Sequence, residues 1–299
     1  MIRRFRAELF LLFATIIWGG TFPVISVLVQ GIDPAYVVAI RFALAATILL
    51  PFLWRGGFLR RLKAGFTDGV ILGCFTLAGL YLQTLGLVYT TPARSAFITY
   101  LLVIFVLIYQ VIWDRRKPTL TNYISTLILL LGGLILVNPT AQSGGETGGW
   151  FGINQGDIIT VFSAAAFAGY ILRVDRTWSK GRLVSLLFWQ FFLCSLGGFL
   201  LAGITSAPLP VFSATSVLLI LYLALPASLL TITIMLKYQP ETTPVRASIL
   251  YALEPIFATL IAILYPGVWP TTTEWAGGMI IFGGVIVSEL SMAIKKNGS

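Results

Sequence analysis

Ten apolar runs occupy almost the whole chain. Each is close to the roughly 20 residues that cross about 30 Å of hydrocarbon as a helix. They fall at about 8–28, 34–54, 67–88, 94–112, 121–139, 157–175, 183–203, 216–237, 245–264 and 274–292. Lipid offers no partner for backbone N–H and C=O groups, so each run is expected to be helical. Charged residues are 10% of the chain and hydrophobic residues 58%, with a mean hydropathy of +0.92. A soluble domain carries about 25% charged residues, so this chain lacks the polar surface needed to fold in water. Connections are short and marked by Pro or Gly, as at Gly31-Ile32-Asp33-Pro34 and Ala207-Pro208-Leu209-Pro210. The longest, Asn138 to Gln155, is rich in Gly, Ser and Thr. The first run has a basic start but no small-residue cleavage site, and reads as a retained span rather than a signal peptide.

Lys and Arg set the orientation. With connections assigned alternately to two sides, 18 of the 20 basic residues fall on one side, from Arg3, Arg4 and Arg6 to Lys295 and Lys296. The other side holds Arg94, and Arg41 lies inside a span. Cytoplasmic loops carry the basic excess, so both termini are expected in the cytoplasm. The net charge of +9 is spread along the connections. Nucleic acid needs one concentrated basic face, and no such partner is expected.

The chain repeats itself in inverted form. Thr90-Thr91-Pro92-Ala93-Arg94-Ser95 returns 152 residues later as Thr242-Thr243-Pro244-Val245-Arg246-Ala247. Five spans separate the copies, so Arg94 and Arg246 fall on opposite sides. Phe13 to Gly20 matches Phe162 to Gly169, preceded by Glu8 and Asp157. Ile40-Arg41-Phe42 matches Trp189-Gln190-Phe191, and Gly132-Gly133 matches Gly283-Gly284. The expected architecture is an all-α integral membrane protein of ten transmembrane helices, built as two inverted five-helix repeats. Residues 1–140 form the first repeat, 141–156 the connecting loop and 157–299 the second. Inverted repeats are a hallmark of secondary transporters.

Four segments carry a family resemblance: Trp18-Gly19-Gly20-Thr21-Phe22-Pro23, Arg41-Phe42, Thr91 to Phe105, and Leu253-Glu254-Pro255. On these the chain resembles the drug/metabolite transporter superfamily, in its EamA-type ten-helix branch, and within it bacterial exporters of aromatic and hydrophobic amino acids. The resemblance spans the chain. It implies a central cavity between the repeats, peripheral fifth and tenth helices, and export of small metabolites across a bacterial inner membrane. The family carries an acid after the fourth and ninth helices. Asp114 fits the first position, but Tyr265-Pro266-Gly267 at the second holds none. That loss argues against any charge-based gate symmetric between the halves.

Few residues at membrane depth can do chemistry. Arg41 and Glu254 are the clearest charges inside spans, and an intramembrane charge is a functional candidate by default. Glu254 lies midway along its helix beside Pro255, where a broken helix and a carboxylate together suit an amine or a proton. The competing readings are a structural Glu bonded to a neighbouring helix, and an Arg41 that snorkels or braces. Aromatic and polar side chains at depth supply the substrate-binding candidates: Trp18, Phe22, Tyr81, Gln83, Thr99, Tyr100, Tyr170, Trp189, Ser248 and Tyr251. Rings suit amphipathic solutes or cations, although membrane aromatics also face lipid or form interfacial belts. Pro23, Pro226 and Pro255 interrupt spans, and Gly19-Gly20 ahead of Pro23 makes the first helix the expected hinge. Arg41, Glu254, Pro23 and Pro255 are the coupling or gating candidates.

The chain has no His and only Cys74 and Cys194. It has no phosphate-binding loop of the GxxxxGK[ST] type, and neither a metal nor a cofactor is expected. The sequence reads as a secondary transporter of small amphipathic metabolites, with aromatic or other hydrophobic amino acids as cargo. The partners expected are the cargo and membrane lipid, in a monomer or a homodimer. A membrane-embedded enzyme on lipid-like substrates, or a carrier of other metabolites or drugs, is the alternative. Topology is directly testable. Cysteines replacing Ser143 and Thr272 should react with an impermeant thiol reagent outside the cell, and one replacing Lys180 should not. Labelling of the Lys180 position from outside would overturn the ten-span assignment.

Overall fold

The computed structural model describes residues 2–54, 57–115, 118–137, 154–177, 181–264 and 272–297. Ser143, Lys180 and the Tyr265-Pro266-Gly267 turn lie outside them. The described residues are helical, with no strand. Spans 1 to 10 are Phe5–Leu28, Pro34–Trp54, Phe66–Gly86, Arg94–Trp113, Leu120–Ile135, Gln155–Arg176, Leu183–Ile204, Ala214–Glu241, Pro244–Ile261 and Trp275–Val287. Eight are long and apolar enough to cross a membrane; spans 5 and 10 are shorter apolar stretches of the helices Leu120–Val137 and Thr272–Asn297. A short basic helix, Phe58–Ala64, joins spans 2 and 3. An even number of crossings puts both ends of the chain on one face, here the terminal face; Arg94 starts span 4 at the opposite, far face.

The two repeats are interlocked. The most extensive helix contacts are span 5 on 10, 2 on 7, 3 on 6 and 7, 4 on 6, and 1 on 8 and 9. Every one of them joins one repeat to the other, so neither half has an apolar core of its own. Association of apolar helices in lipid relies on close packing rather than on a hydrophobic force, and glycine permits the approach. A Cβ on Gly69 would lie 2.7 Å from that of Trp189, and one on Gly73 2.9 Å from Leu193, so this pair seats span 3 on span 7. A Cβ on Gly132 would lie 2.7 Å from the Ile281 nitrogen. That glycine is thus spent within the chain, on the contact between spans 5 and 10.

Four spans are interrupted at depth, and the repeat explains two of them. Span 4 breaks at Tyr100-Leu101 and span 9 at Ala252-Leu253, again 152 residues apart. The backbone bonds correspond one for one. Tyr100 N–H donates to Ala96, Leu101 to Ile98, and Ile104 and Phe105 to Leu101. Ala252 donates to Ser248, Leu253 to Leu250, and Ile256 and Phe257 to Leu253. Sequence reasoning ties the break in span 9 to Pro255. Yet span 4 makes the same break with Val103 at the equivalent position, whose N–H donates to Tyr100. Proline removes one bond from a break that the repeat already has.

Spans 1 and 8 break against each other. Span 1 turns at Gly20, between the helices Ile2–Gly19 and Thr21–Leu28. Span 8 widens into a π-helical turn at Leu225–Leu230 around Pro226. A Cβ on Gly20 would lie 2.5 Å from the Tyr222 hydroxyl, so a larger residue where the spans cross would displace that hydroxyl. Two glycines of spans 5 and 10, one tightly packed and one in open space, give a test. Gly132→Ala should destabilise the protein by about 1–3 kcal/mol through overpacking. Gly283→Ala, where nothing lies within 4 Å of the new Cβ, should leave stability unchanged or raise it. Thermal unfolding in detergent micelles would measure both, and equal effects would reject the assigned contact between spans 5 and 10.

Candidate functional site

Where the breaks converge, the helices do not fill the core. A cavity of ≈ 90 Å³ lies among spans 1, 2, 3, 4, 6, 8 and 9. Ligand pockets usually hold about 300–1,000 Å³, so the spans stand in a contracted arrangement. Trp18, Phe167, Tyr170 and Tyr251 supply aromatic walls; Thr21, Thr76, Gln83 and Thr99 supply hydroxyl and amide groups; Arg41 and Glu254 supply charge. Trp18 meets Tyr251 edge to face, with ring centroids 5.4 Å apart.

The freed backbone groups at the breaks in spans 1 and 8 are held by side chains. Tyr222 donates its hydroxyl to the Ile17 carbonyl at 2.5 Å, and Thr21 donates to the Trp18 carbonyl at 2.8 Å. Trp18 Nε1 donates across to the Ala227 carbonyl in the π turn at 3.1 Å. Within that turn Ser228 donates to the Leu223 carbonyl at 2.7 Å. The same Ser228 oxygen accepts from Arg41 Nε at 3.0 Å and from Nη2 at 2.8 Å. The hinge expected in span 1 is thus a braced joint shared with spans 2 and 8.

Arg41 has no counter-charge among the described residues. It is 2% exposed, its Nη1 has no acceptor, and no carboxylate pairs with it. Its guanidinium carbon sits 5.1 Å from the centre of the Phe42 ring. A buried guanidinium without a partner costs several kcal/mol, far more than bracing a serine returns. Glu254 is the complementary case. It lines the same cavity, keeps some exposure, and no donor or cation among the described residues reaches it. One cavity therefore carries one cation and one anion, each unpaired.

The lining follows the inverted repeat. At an offset of 149, Trp18 corresponds to Phe167 and Thr21 to Tyr170; at 152, Leu80 corresponds to Ile232, Gln83 to Met235, Thr99 to Tyr251 and Leu102 to Glu254. Both members of every pair line the cavity. A hydrogen bond repeats too. Arg41 donates to Ser228, and its counterpart Gln190 donates to Thr76, the counterpart of Ser228, at 2.8 Å. Phe42 and Phe191, also equivalent, meet at 5.3 Å between centroids.

Of the sequence candidates, Trp18, Gln83, Thr99, Tyr170, Tyr251, Arg41 and Glu254 come together at the cavity. Tyr100 and Pro255 border a small adjoining space that Glu254 also lines. The rest lie elsewhere. Phe22 is buried in a second apolar cluster with Ile25 and Leu223, because Gly20 turns that part of span 1 away. Tyr81 is half-buried against the main core. Trp189 donates to the Leu62 carbonyl at 2.7 Å, near the terminal face. Ser248 donates to the Val245 carbonyl one turn back at 2.7 Å, which satisfies its hydroxyl within its own helix. Pro23 lies beyond the break in span 1 and does not line the cavity.

Ser228, Thr76, Gln190 and Gln239 escaped sequence reasoning. Gln239 accepts from the Tyr251 hydroxyl at 3.1 Å and donates to the Ile171 carbonyl at 2.7 Å. Gln190 also donates to the Tyr170 hydroxyl at 2.9 Å. The signal for Gln190 was its alignment with Arg41. Ser228 and Thr76 are small residues in apolar runs, and only the 152-residue offset links them.

Known proteins share this organisation. The chain matches the EamA-like transporter family over residues 5–138 and 154–290, one match for each half. An uncharacterized transporter of Archaeoglobus fulgidus is 28% identical over 97% of this chain and 87% of its own length. An uncharacterized inner membrane transporter of Salmonella typhimurium, YicL, is 24% identical over 93% of each. A solved crystal structure superposes with a TM-score of 0.77 over 96% of this chain and 97% of its own, at 16% identity, which shows a shared fold. With both repeats matched and the spans folded around one central cavity, the chain belongs to the EamA-like transporter family, as a multi-pass membrane transporter.

Proposed function

We propose that this transporter carries small amphipathic zwitterions, aromatic or other hydrophobic amino acids, out of a bacterial cytoplasm by alternating access. The observation that carries the reading is the pair of unpaired charges in one aromatic cavity. An α-amino acid brings a carboxylate for Arg41 and an ammonium for Glu254, and its apolar side chain suits Trp18, Phe167, Tyr170 and Tyr251. Each new charge-assisted hydrogen bond then returns desolvation energy that the empty site leaves unspent.

The breaks support a rocking motion. A cavity this contracted admits cargo only if spans 1, 4, 8 and 9 shift at their joints, and the joints of spans 1 and 8 rest on side-chain bonds that can exchange partners. The termini lie in the cytoplasm in this reading, on the basic side of the chain. Glu254 is the one carboxylate lining the cavity among the described residues, so any proton coupling runs through it.

Purified protein in liposomes, offered amino acids, nucleosides and sugar phosphates, tests the cargo. Aromatic amino acids should move, and movement of sugar phosphates alone would refute the reading. Glu254→Gln should weaken apparent affinity for an aromatic amino acid by about ten- to hundredfold, the worth of one hydrogen bond to a charged group. The same change should leave affinity for the matching carboxylic acid, which lacks the ammonium, little altered. An imposed pH gradient then separates coupling from exchange. Acceleration of the wild type that Glu254→Gln abolishes supports coupling, and a wild type indifferent to the gradient makes the protein a facilitator.

A further inference from the structure

We infer that two ion pairs, equivalent in the inverted repeat and set at opposite faces of the membrane, are the alternating latches of this transporter. At the far face Arg94 Nη2 lies 2.6 Å from Asp157 Oδ2, with Arg94 Nε donating to Oδ1 at 2.9 Å. At the terminal face Arg246 Nε lies 2.7 Å from Glu8 Oε1. Arg94 and Arg246 are the repeated arginines, and Glu8 and Asp157 precede the matched first spans of the two repeats. Each pair therefore ties the span-4-type helix of one repeat to the first helix of the other. The inversion alone places one at each face.

The local structure serves this geometry. Thr91 caps span 4 by accepting from the Arg94 N–H at 3.3 Å, and Thr243 caps span 9 by accepting from the Arg246 N–H at 3.3 Å. Pro92 and Pro244 open the first turns. The repeated Thr-Pro-x-Arg thus holds an arginine in the first turn, aimed across the repeat boundary. Each pair joins a buried partner to a partly exposed one: the side chains of Asp157 and Arg94 are 5% and 25% exposed, those of Arg246 and Glu8 8% and 16%. Asp157 is further held by Thr90, which donates at 3.0 Å, and by the Asn154 N–H at 3.0 Å. Opening one face admits water to that pair alone, and hydration repays what separating the charges costs. The pair at the other face stays closed. Both are closed in this contracted structure.

This inference rests on alternating access, and one experiment separates the two. A protein with Cys74→Ser and Cys194→Ala carries a single reporter, Thr21→Cys, in the cavity wall. An impermeant thiol reagent is applied to cells, and to inside-out vesicles. Arg94→Gln should speed labelling from the outer side by about two- to fivefold, the range for an ion pair of at most about 1 kcal/mol. Arg246→Gln should slow it by a similar factor and speed labelling from the inner side. The exchanged pair Glu8→Arg with Arg246→Glu should restore the wild-type balance. Should Arg94→Gln fail to fold, Thr90→Val, which removes one bond to Asp157, should shift labelling the same way by a smaller factor. Shifts in the same direction, or none, overturn the latches while labelling from both sides upholds alternating access. A reporter reached from one side only in every protein overturns both.

Discussion

Backbone satisfaction in lipid is the constraint on which the rest of this structure depends. A helix crossing a bilayer can stay unbroken at no cost, but a broken one must find partners for each freed carbonyl and amide. Spans 1, 4, 8 and 9 break where the repeats meet. The partners that spans 1 and 8 recruit, Tyr222, Thr21, Trp18 and Ser228, come from facing helices or from the turn itself, while spans 4 and 9 rebond their own backbone. These side chains then have no freedom to be anything other than cavity wall or cavity support. The site is thus a consequence of the breaks, and the breaks are tolerable because other spans stand close enough to repair them.

Much of the fold was legible because membrane insertion writes itself in long apolar runs and in the placement of Lys and Arg. Ten spans and the inversion follow from those signals, whereas the peripheral place of spans 5 and 10 came from the family resemblance, and their mutual contact from the structure. The short apolar stretches of spans 5 and 10 blur the count, since each is helical beyond its most apolar part. The break in span 4 was invisible. No proline or glycine marks Tyr100-Leu101, and only comparison with Ala252-Leu253 in the partner repeat could have found it.

The site was legible in its charges and largely not in its aromatics. Arg41 and Glu254 stand out because charge inside a span is costly and rare. Tyr100, Trp189 and Phe22 looked equivalent to Trp18 and Tyr251 from sequence, because depth along a helix does not reveal which way a ring points. A turn at Gly20 separates Trp18 from Phe22 by rotating the helix between them. The loss of an acid after span 9 argued against a symmetric charge pair between the halves. The acids that pair with Arg94 and Arg246 sit instead at the starts of spans 6 and 1, where Asp157 and Glu8 had already been aligned.

Symmetry and its absence divide the work. The backbone breaks of spans 4 and 9, the caps at Thr91 and Thr243, and the ion pairs all repeat, so the two facing states of the proposed alternating-access cycle would be built from equivalent parts and could lie close in energy. The charges of the cavity do not repeat. Arg41 is matched by Gln190, and Glu254 by Leu102, so each repeat brings one charge and meets a neutral residue in the other. A cargo with two unlike ends cannot be matched by a twofold-symmetric site. A site charged on one member of each pair can hold such a cargo in a single orientation while the scaffold around it moves symmetrically. On the proposed function, substitutions that make the cavity more symmetric, such as Arg41→Gln, therefore act on recognition, whereas those that make the scaffold less symmetric act on the balance between the faces.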